Sequence, residues 1–144
     1  MQVVARNGGY VRTERFEAVS FGFRHGLPPD CDLVFDVRFL RNPHWDPDLR
    51  PSTGQDPRVA AYIEADAECA PFLERLTGFL APLLPRYRAE GKSYLTIAVG
   101  CTGGKHRSVY IAEQLAAWLR AQGVDVGLSH RGLERAMDEA TAKA

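Results

Sequence analysis

The residues with the clearest chemical potential lie in one short glycine-rich segment in the last third of the chain. Cys101 and Arg107 are separated by five residues, and Ser108 follows directly. The residues between them are Thr102, Gly103, Gly104, Lys105 and His106. Glycines allow a tight turn whose backbone N–H groups can converge on one anion, and the lysine and arginine add positive charge. The segment therefore predicts a loop that binds a phosphate or a similar dianion.

Residues 94–120 supply the elements that must hold this loop. Residues 95–99 are apolar and rich in β-branched side chains, which predicts a buried strand. Apolar residues then recur at the spacing of an amphipathic helix, at Ile111, Leu115, Trp118 and Leu119. A strand that turns through glycines into a helix leaves backbone N–H groups unpaired near the positive end of the helix dipole.

The loop resembles two known phosphate loops in its spacing. It is not a Walker A loop, because Gly100 and Gly104 enclose three residues instead of four and His106 replaces the magnesium-binding hydroxyl. Cys101 and Arg107 do fit the Cys-x5-Arg-Ser pattern of cysteine-dependent phosphatases, in which a thiolate attacks phosphorus and the arginine clamps its oxygens. A binding loop and a phosphatase acting on small phosphoesters therefore remain as two interpretations.

A phosphatase also needs a general acid, and a metal enzyme needs clustered ligands. The candidate acids are Asp36, Asp46 and Asp56, none of which is set by its spacing from the cysteine. The histidines show no ligand spacing such as His-x3-His with one another. The sequence thus predicts no metal and no cofactor.

Two upstream segments carry further candidate residues. Residues 31–40 show the alternation of a strand, with Asp36 and Arg38 on one face. These two residues form either a functional edge or a buried ion pair that serves packing. Residues 42–57 form a polar, proline-rich loop that includes His44 and Arg50. This loop is either functional or a surface excursion pinned by Trp45.

The predicted order of elements is typical of an α/β fold. Strands are expected at 15–23, 31–40, 95–99 and 124–128, helices at 57–65, from about 70 to 87 with a kink at Pro82, and at 131–144, and a leader or short strand at 1–7. We expect one domain, 1–144, built as a sandwich of a mostly parallel sheet with helices on both faces. Ligands of such sheets lie beyond the carboxyl ends of the strands.

Composition limits the function classes. The 144 residues carry a net charge of zero, so no overall field favours nucleic acid or a membrane surface. No apolar run approaches the ~20 residues of a membrane span, and no signal peptide is expected. The three cysteines form no Cys-x-x-Cys pair and are expected to be reduced thiols of a cytoplasmic protein.

Several segments in the same order resemble the C-terminal domain of the RapZ (RNase adapter protein) family. They are Ser20–Gly26, Asp32–Leu40, Asn42–Pro47, Leu49–Pro51 and Gly100–Leu115. The resemblance covers roughly residues 18–135 and implies a regulatory sensor, not an enzyme, that binds a small phosphorylated sugar such as glucosamine-6-phosphate. It places the ligand on His25, Asp36, His44, Cys101, Thr102, Gly103 and Arg107.

The same resemblance implies partners, with two departures. Full-length family members carry a nucleotide-binding half of the Walker type, bind small RNAs and assemble with an endoribonuclease. No Walker sequence occurs here, so nucleotide hydrolysis is not carried over and a separate nucleotide-binding subunit or protein partner is expected. The family's basic tail is replaced by residues 133–144, with three acids and two bases. RNA binding is therefore expected to be weak or absent, and self-association is expected from the family.

Overall fold

The computed structural model describes residues 2–4, 10–12, 15–90 and 94–143. Its main sheet has four strands, β3 (Arg15–Gly22), β4 (Leu33–Asp36), β5 (Tyr94–Cys101) and β6 (Val126–His130), all parallel and ordered β4-β5-β3-β6. The short strands β1 (Gln2–Val4) and β2 (Tyr10–Arg12) form a separate antiparallel pair. The helices are α1 (Pro57–Glu64), α2 (Cys69–Leu80), α3 (Leu84–Ala89), α4 (Arg107–Ala121) and α5 (Arg131–Lys143).

Both faces of the central strands are buried, as expected for a parallel sheet covered by helices. Phe16 and Ala18 of β3 belong to the main core, together with Ile97 of β5 and side chains from α1, α2 and α4. Val19 and Phe21 are buried on the opposite face of the same strand, and α5 contacts β3. These observations confirm the predicted α/β fold.

Two predicted elements end earlier than expected. The predicted strand 31–40 stops at Asp36, because the Asp36 carboxylate accepts a hydrogen bond from the Arg38 backbone N–H at 2.9 Å and turns the chain. Phe39, which strand alternation would place on the same face as Phe35 and the buried Val37, is 54% exposed. Pro82 breaks the long helix instead of kinking it: α2 ends at Leu80 and α3 begins at Leu84.

Other boundaries shift by a few residues. The strand expected at 124–128 spans Val126–His130, and the closing helix follows it directly. Part of the predicted leader, residues 1 and 5–7, lies outside the described residues, while 2–4 form β1. In the described part of the chain no helix has the length and apolar character needed to cross a membrane. The three cysteines are free thiols.

Candidate functional site

The glycine-rich loop joins the carboxyl end of β5 to the start of α4. β5 ends at Cys101 and α4 begins at Arg107, as the sequence predicts. Gly104 adopts φ +76°, and a Cβ there would lie 2.6 Å from the backbone nitrogen of Gly22 in β3. The backbone N–H groups of residues 102–106 donate no hydrogen bond to any residue that the structure describes. They are therefore available to an anion.

Arg107 is the buried cation of the site. Its side chain is held by Nη1, which donates to the carbonyl oxygens of Arg38 at 2.6 Å and Leu40 at 3.2 Å. The residue is 6% exposed. Among the buried side-chain nitrogen and oxygen atoms of the described residues, Arg107 Nε is the one that has no hydrogen-bond partner. Nε shares one edge of the guanidinium with Nη2, the edge that bidentate anions use. A buried, unpaired donor is costly unless a ligand satisfies it.

Hydrogen bonds hold a second loop, residues 50–56, against the glycine-rich loop. The Lys105 ammonium donates to the Arg50 carbonyl oxygen at 2.9 Å, and Nε2 of His106 lies 3.2 Å from the same oxygen. Gly54 N–H donates to the Lys105 carbonyl oxygen at 2.9 Å, and Arg50 Nε donates to the His44 carbonyl oxygen at 2.7 Å. Burial and then the Lys105 charge lower the pKa of His106, which keeps its ring neutral at neutral pH.

These elements enclose a cavity of about 520 Å³ at the carboxyl ends of β3 and β5. It is lined by Arg24, Asn42, His44, Trp45, Arg50, Cys101, Thr102, Gly103, Lys105, His106 and Arg107. Four of these residues are lysine or arginine, and none of the described residues that line the cavity is acidic. The cavity therefore has the charge expected for an anionic ligand.

Eight of the predicted site residues line this cavity, and three lining residues were not predicted. Arg24 lies just after β3. Its position at the carboxyl end of a strand is the signal by which the sequence could have identified it as a site residue. Asn42 and Trp45 lie in the loop flagged as a candidate functional loop. Trp45 is 74% exposed, so the interpretation that it pins this loop is wrong. The loop is ordered instead by a 3-10 helix at Pro43–Trp45, whose N-cap is Asn42.

The other predicted site residues lie around the cavity without lining it. His25 lines two neighbouring cavities. Asp36 and Arg38 form an ion pair with 2.6 Å between Arg38 Nη2 and Asp36 Oδ2. Both side chains are nearly half exposed, so the alternative of a buried packing pair is wrong. Gly104 shapes the loop, and Ser108 Oγ accepts a hydrogen bond from Cys101 Sγ at 3.1 Å.

Two of the three candidate general acids of a cysteine phosphatase are engaged in other contacts, while Cys101 is a buried residue of the cavity. Cys101 is 3% exposed, with its thiol directed to Ser108. Asp56 caps α1, and its hydrogen bonds with Arg58 lower the pKa of the carboxyl group to about 2. The side-chain hydrogen bond from Arg38 lowers the pKa of Asp36. Two of the three candidate acids are thus ionised at neutral pH and hold no proton to donate.

Within the described residues, no group of three or more histidine, cysteine, aspartate or glutamate side chains has the geometry of a metal site. The fold and the cavity together define an α/β domain whose candidate site lies at the carboxyl ends of a parallel sheet, on a strand–loop–helix unit rich in cations.

The chain belongs to the RapZ C-terminal domain family, whose model matches residues 15–134. A nucleotide-binding protein of Rhodospirillum rubrum is 64% identical over 115 residues, which are 80% of this chain and 36% of that protein. The RNase adapter protein RapZ of Klebsiella pneumoniae is 56% identical over 116 residues, 81% of this chain and 41% of that protein. The resemblance inferred from the sequence is confirmed. The chain spans well under half the length of these relatives.

Proposed function

We propose that this chain is a regulatory domain that binds a sugar phosphate, with the phosphate held on the loop from Cys101 to Arg107. The observation that carries the proposal is the buried guanidinium of Arg107, whose Nε has no partner while Nη1 is fixed by two carbonyl oxygens. A phosphate oxygen at that edge satisfies a donor that is otherwise buried and unpaired. The free N–H groups of the loop supply the remaining hydrogen bonds.

The ligand that fits best is a hexosamine phosphate of the glucosamine-6-phosphate type. The cavity, about 520 Å³, exceeds what an inorganic phosphate needs, and it presents His44, Asn42 and the exposed ring of Trp45 beside the loop. Polar side chains there can bind sugar hydroxyls, and an aromatic ring can pack on a sugar face.

A thermal-shift screen tests this proposal most simply. A ligand that binds only the native state raises the melting temperature, and above Kd the stabilisation grows with the logarithm of the ligand concentration. We expect glucosamine-6-phosphate to raise it and unphosphorylated glucosamine to leave it unchanged. The Trp118→Phe variant, which retains Trp45 as its one tryptophan, should also change its emission on titration. If neither sugar phosphates nor hexosamine phosphates shift the melting temperature, the proposal is wrong.

The Cys101→Ser variant separates a binding domain from a phosphatase. We expect it to keep most of its affinity for glucosamine-6-phosphate, because serine is close to cysteine in size and can keep the hydrogen bond to Ser108. Wild-type protein should not hydrolyse p-nitrophenyl phosphate, and Cys31→Ser serves as the matched control. Hydrolysis by the wild type that disappears in Cys101→Ser alone would show instead that the loop is catalytic.

We further propose that this domain binds RNA weakly by itself. RNA affinity depends mainly on clustered lysine and arginine that neutralise phosphates. The chain is neutral overall, and the cations of the cavity are assigned to a small anion. A fluorescence-anisotropy titration near physiological salt should show weak binding without sequence preference. Tight RNA binding under these conditions would restore an RNA-binding role to the folded surface.

The regulatory role rests on the family and on its Klebsiella relative, an RNase adapter protein. We propose that ligand occupancy is communicated to a protein partner or to a separate nucleotide-binding subunit, and that the domain self-associates. Size-exclusion chromatography with light scattering, with and without glucosamine-6-phosphate, measures the self-association. A strictly monomeric species in both conditions would remove that part of the proposal.

A further inference from the structure

The first turn of α5 packs directly on the backbone of the glycine-rich loop. A Cβ on Gly132 would overlap the carbonyl oxygen of Gly104, with the Gly104 carbonyl carbon at 2.8 Å. Gly104 is in turn so close to Gly22 that a Cβ there would lie 2.6 Å from the Gly22 nitrogen. Three backbones, from β3, the loop and α5, are thus in contact where no methyl group fits.

A hydrogen-bond network independently fixes where α5 begins. His130, the last residue of β6, directly precedes the helix. Its Nδ1 lies 2.6 Å from Ser20 Oγ on β3, and its Nε2 lies 2.9 Å from Glu113 Oε1 on α4. Gln55 Nε2 donates to the same carboxylate oxygen at 3.1 Å. With no linker after His130, the position of its ring determines the position of the first turn of α5.

The space between α5 and the loop shares lining residues with the candidate site. A second cavity, of about 380 Å³, is lined by α5 residues that include Gly132, Leu133 and Met137. Gly103 and Lys105 line both this cavity and the candidate ligand cavity. Gly103 and Lys105 therefore lie between α5 and the candidate ligand cavity.

We infer that Gly132 is a positioning residue for the phosphate loop. Through its contact with Gly104, docked α5 holds the loop in the conformation that binds the anion, and ligand binding in turn stabilises the docked helix. The two effects are equal in free energy, because coupling between two equilibria is reciprocal. This inference rests on the proposed sugar-phosphate function, and it adds α5 as the element through which occupancy of the site reaches the rest of the surface.

Hydrogen exchange on the wild-type protein tests the coupling without any mutation. We expect saturating glucosamine-6-phosphate to slow amide exchange in α5 as well as in residues 101–107, and to change α2 by less. Binding of the ligand with unchanged exchange in α5 overturns this inference and leaves the proposed function in place. Absence of any ligand binding overturns the proposed function itself.

The Gly132→Ala variant tests the contact, and Gly78→Ala is its matched control. Both replace a glycine within a helix by alanine, but a Cβ at Gly78 has no neighbour within 4 Å. We expect Gly132→Ala to weaken binding of glucosamine-6-phosphate by tenfold or more in calorimetry and to abolish the ligand-induced protection of α5. Gly78→Ala should bind as the wild type does. Equal affinity of both folded variants overturns the inference; if Gly132→Ala does not fold, the exchange result on the wild type decides.

Discussion

Replacing Arg107 by alanine is expected to weaken sugar-phosphate binding by at least tenfold. A charge-assisted contact of this kind contributes about 1.5–3 kcal/mol, or roughly a 10- to 150-fold change in Kd. The side chain is buried and its Nε has no other partner, so the alanine variant loses a donor that is already positioned at the cavity. Isothermal titration calorimetry with glucosamine-6-phosphate measures the loss.

Loss of Arg107 also leaves the Arg38 and Leu40 carbonyl oxygens without their shared donor, so thermal unfolding must show that the variant remains folded. Arg58→Ala, on an exposed arginine of α1 that does not line the cavity, controls for the loss of one positive charge. Arg107→Lys keeps the charge but removes the planar fork, and we expect it to stay weak. Unchanged affinity in folded Arg107→Ala would contradict the assignment of this arginine.

Replacing Gly104 by alanine is expected to have the largest effect on stability among single substitutions in the loop. The backbone φ of +76° costs a non-glycine residue about 1–2 kcal/mol. A Cβ would also lie 2.6 Å from the Gly22 nitrogen and 2.7 Å from the Phe21 carbonyl carbon. Since these neighbours are backbone atoms of a central strand, relief requires the loop to move away from β3. Stability and ligand affinity should therefore fall together.

Gly123 provides the matched control for that variant. It also has positive φ, +80°, but a Cβ there has no neighbour within 4 Å. Gly123→Ala should therefore show the conformational cost alone, and the difference between the two free energies of unfolding, measured by chemical denaturation, gives the cost of the backbone overlap. Equal destabilisation by both variants would show that the loop does not depend on close contact with β3.

The elements that local sequence could predict are those whose burial pattern is strong. The apolar residues of β5 and the stripe of α4 are visible as periodicity, and Ile111, Leu115 and Leu119 are buried as expected. The end of β4 was missed because an Asp36 side chain that bonds to the backbone two residues later overrides the alternation of apolar residues.

The glycine-rich loop was predictable because its residues are contiguous, whereas the rest of the cavity is assembled from distant segments. Arg24 and Asn42 reach it only through the strand order of the sheet and a capped 3-10 turn. The contact between Gly132 and Gly104 depends on two backbones meeting in space, for which isolated glycines in a sequence are a weak signal. The family resemblance adds expected ligand contacts that remain predictions.

The most direct test of the central claim is a calorimetric titration of the wild-type protein with glucosamine-6-phosphate and, in parallel, with glucosamine. The two ligands differ only by the phosphate ester, so their difference in affinity isolates the contribution of the loop and Arg107. We expect saturable binding of the phosphate ester with a stoichiometry of one per chain and no detectable binding of the free sugar. Equal binding of both, or binding of neither, would contradict the central claim.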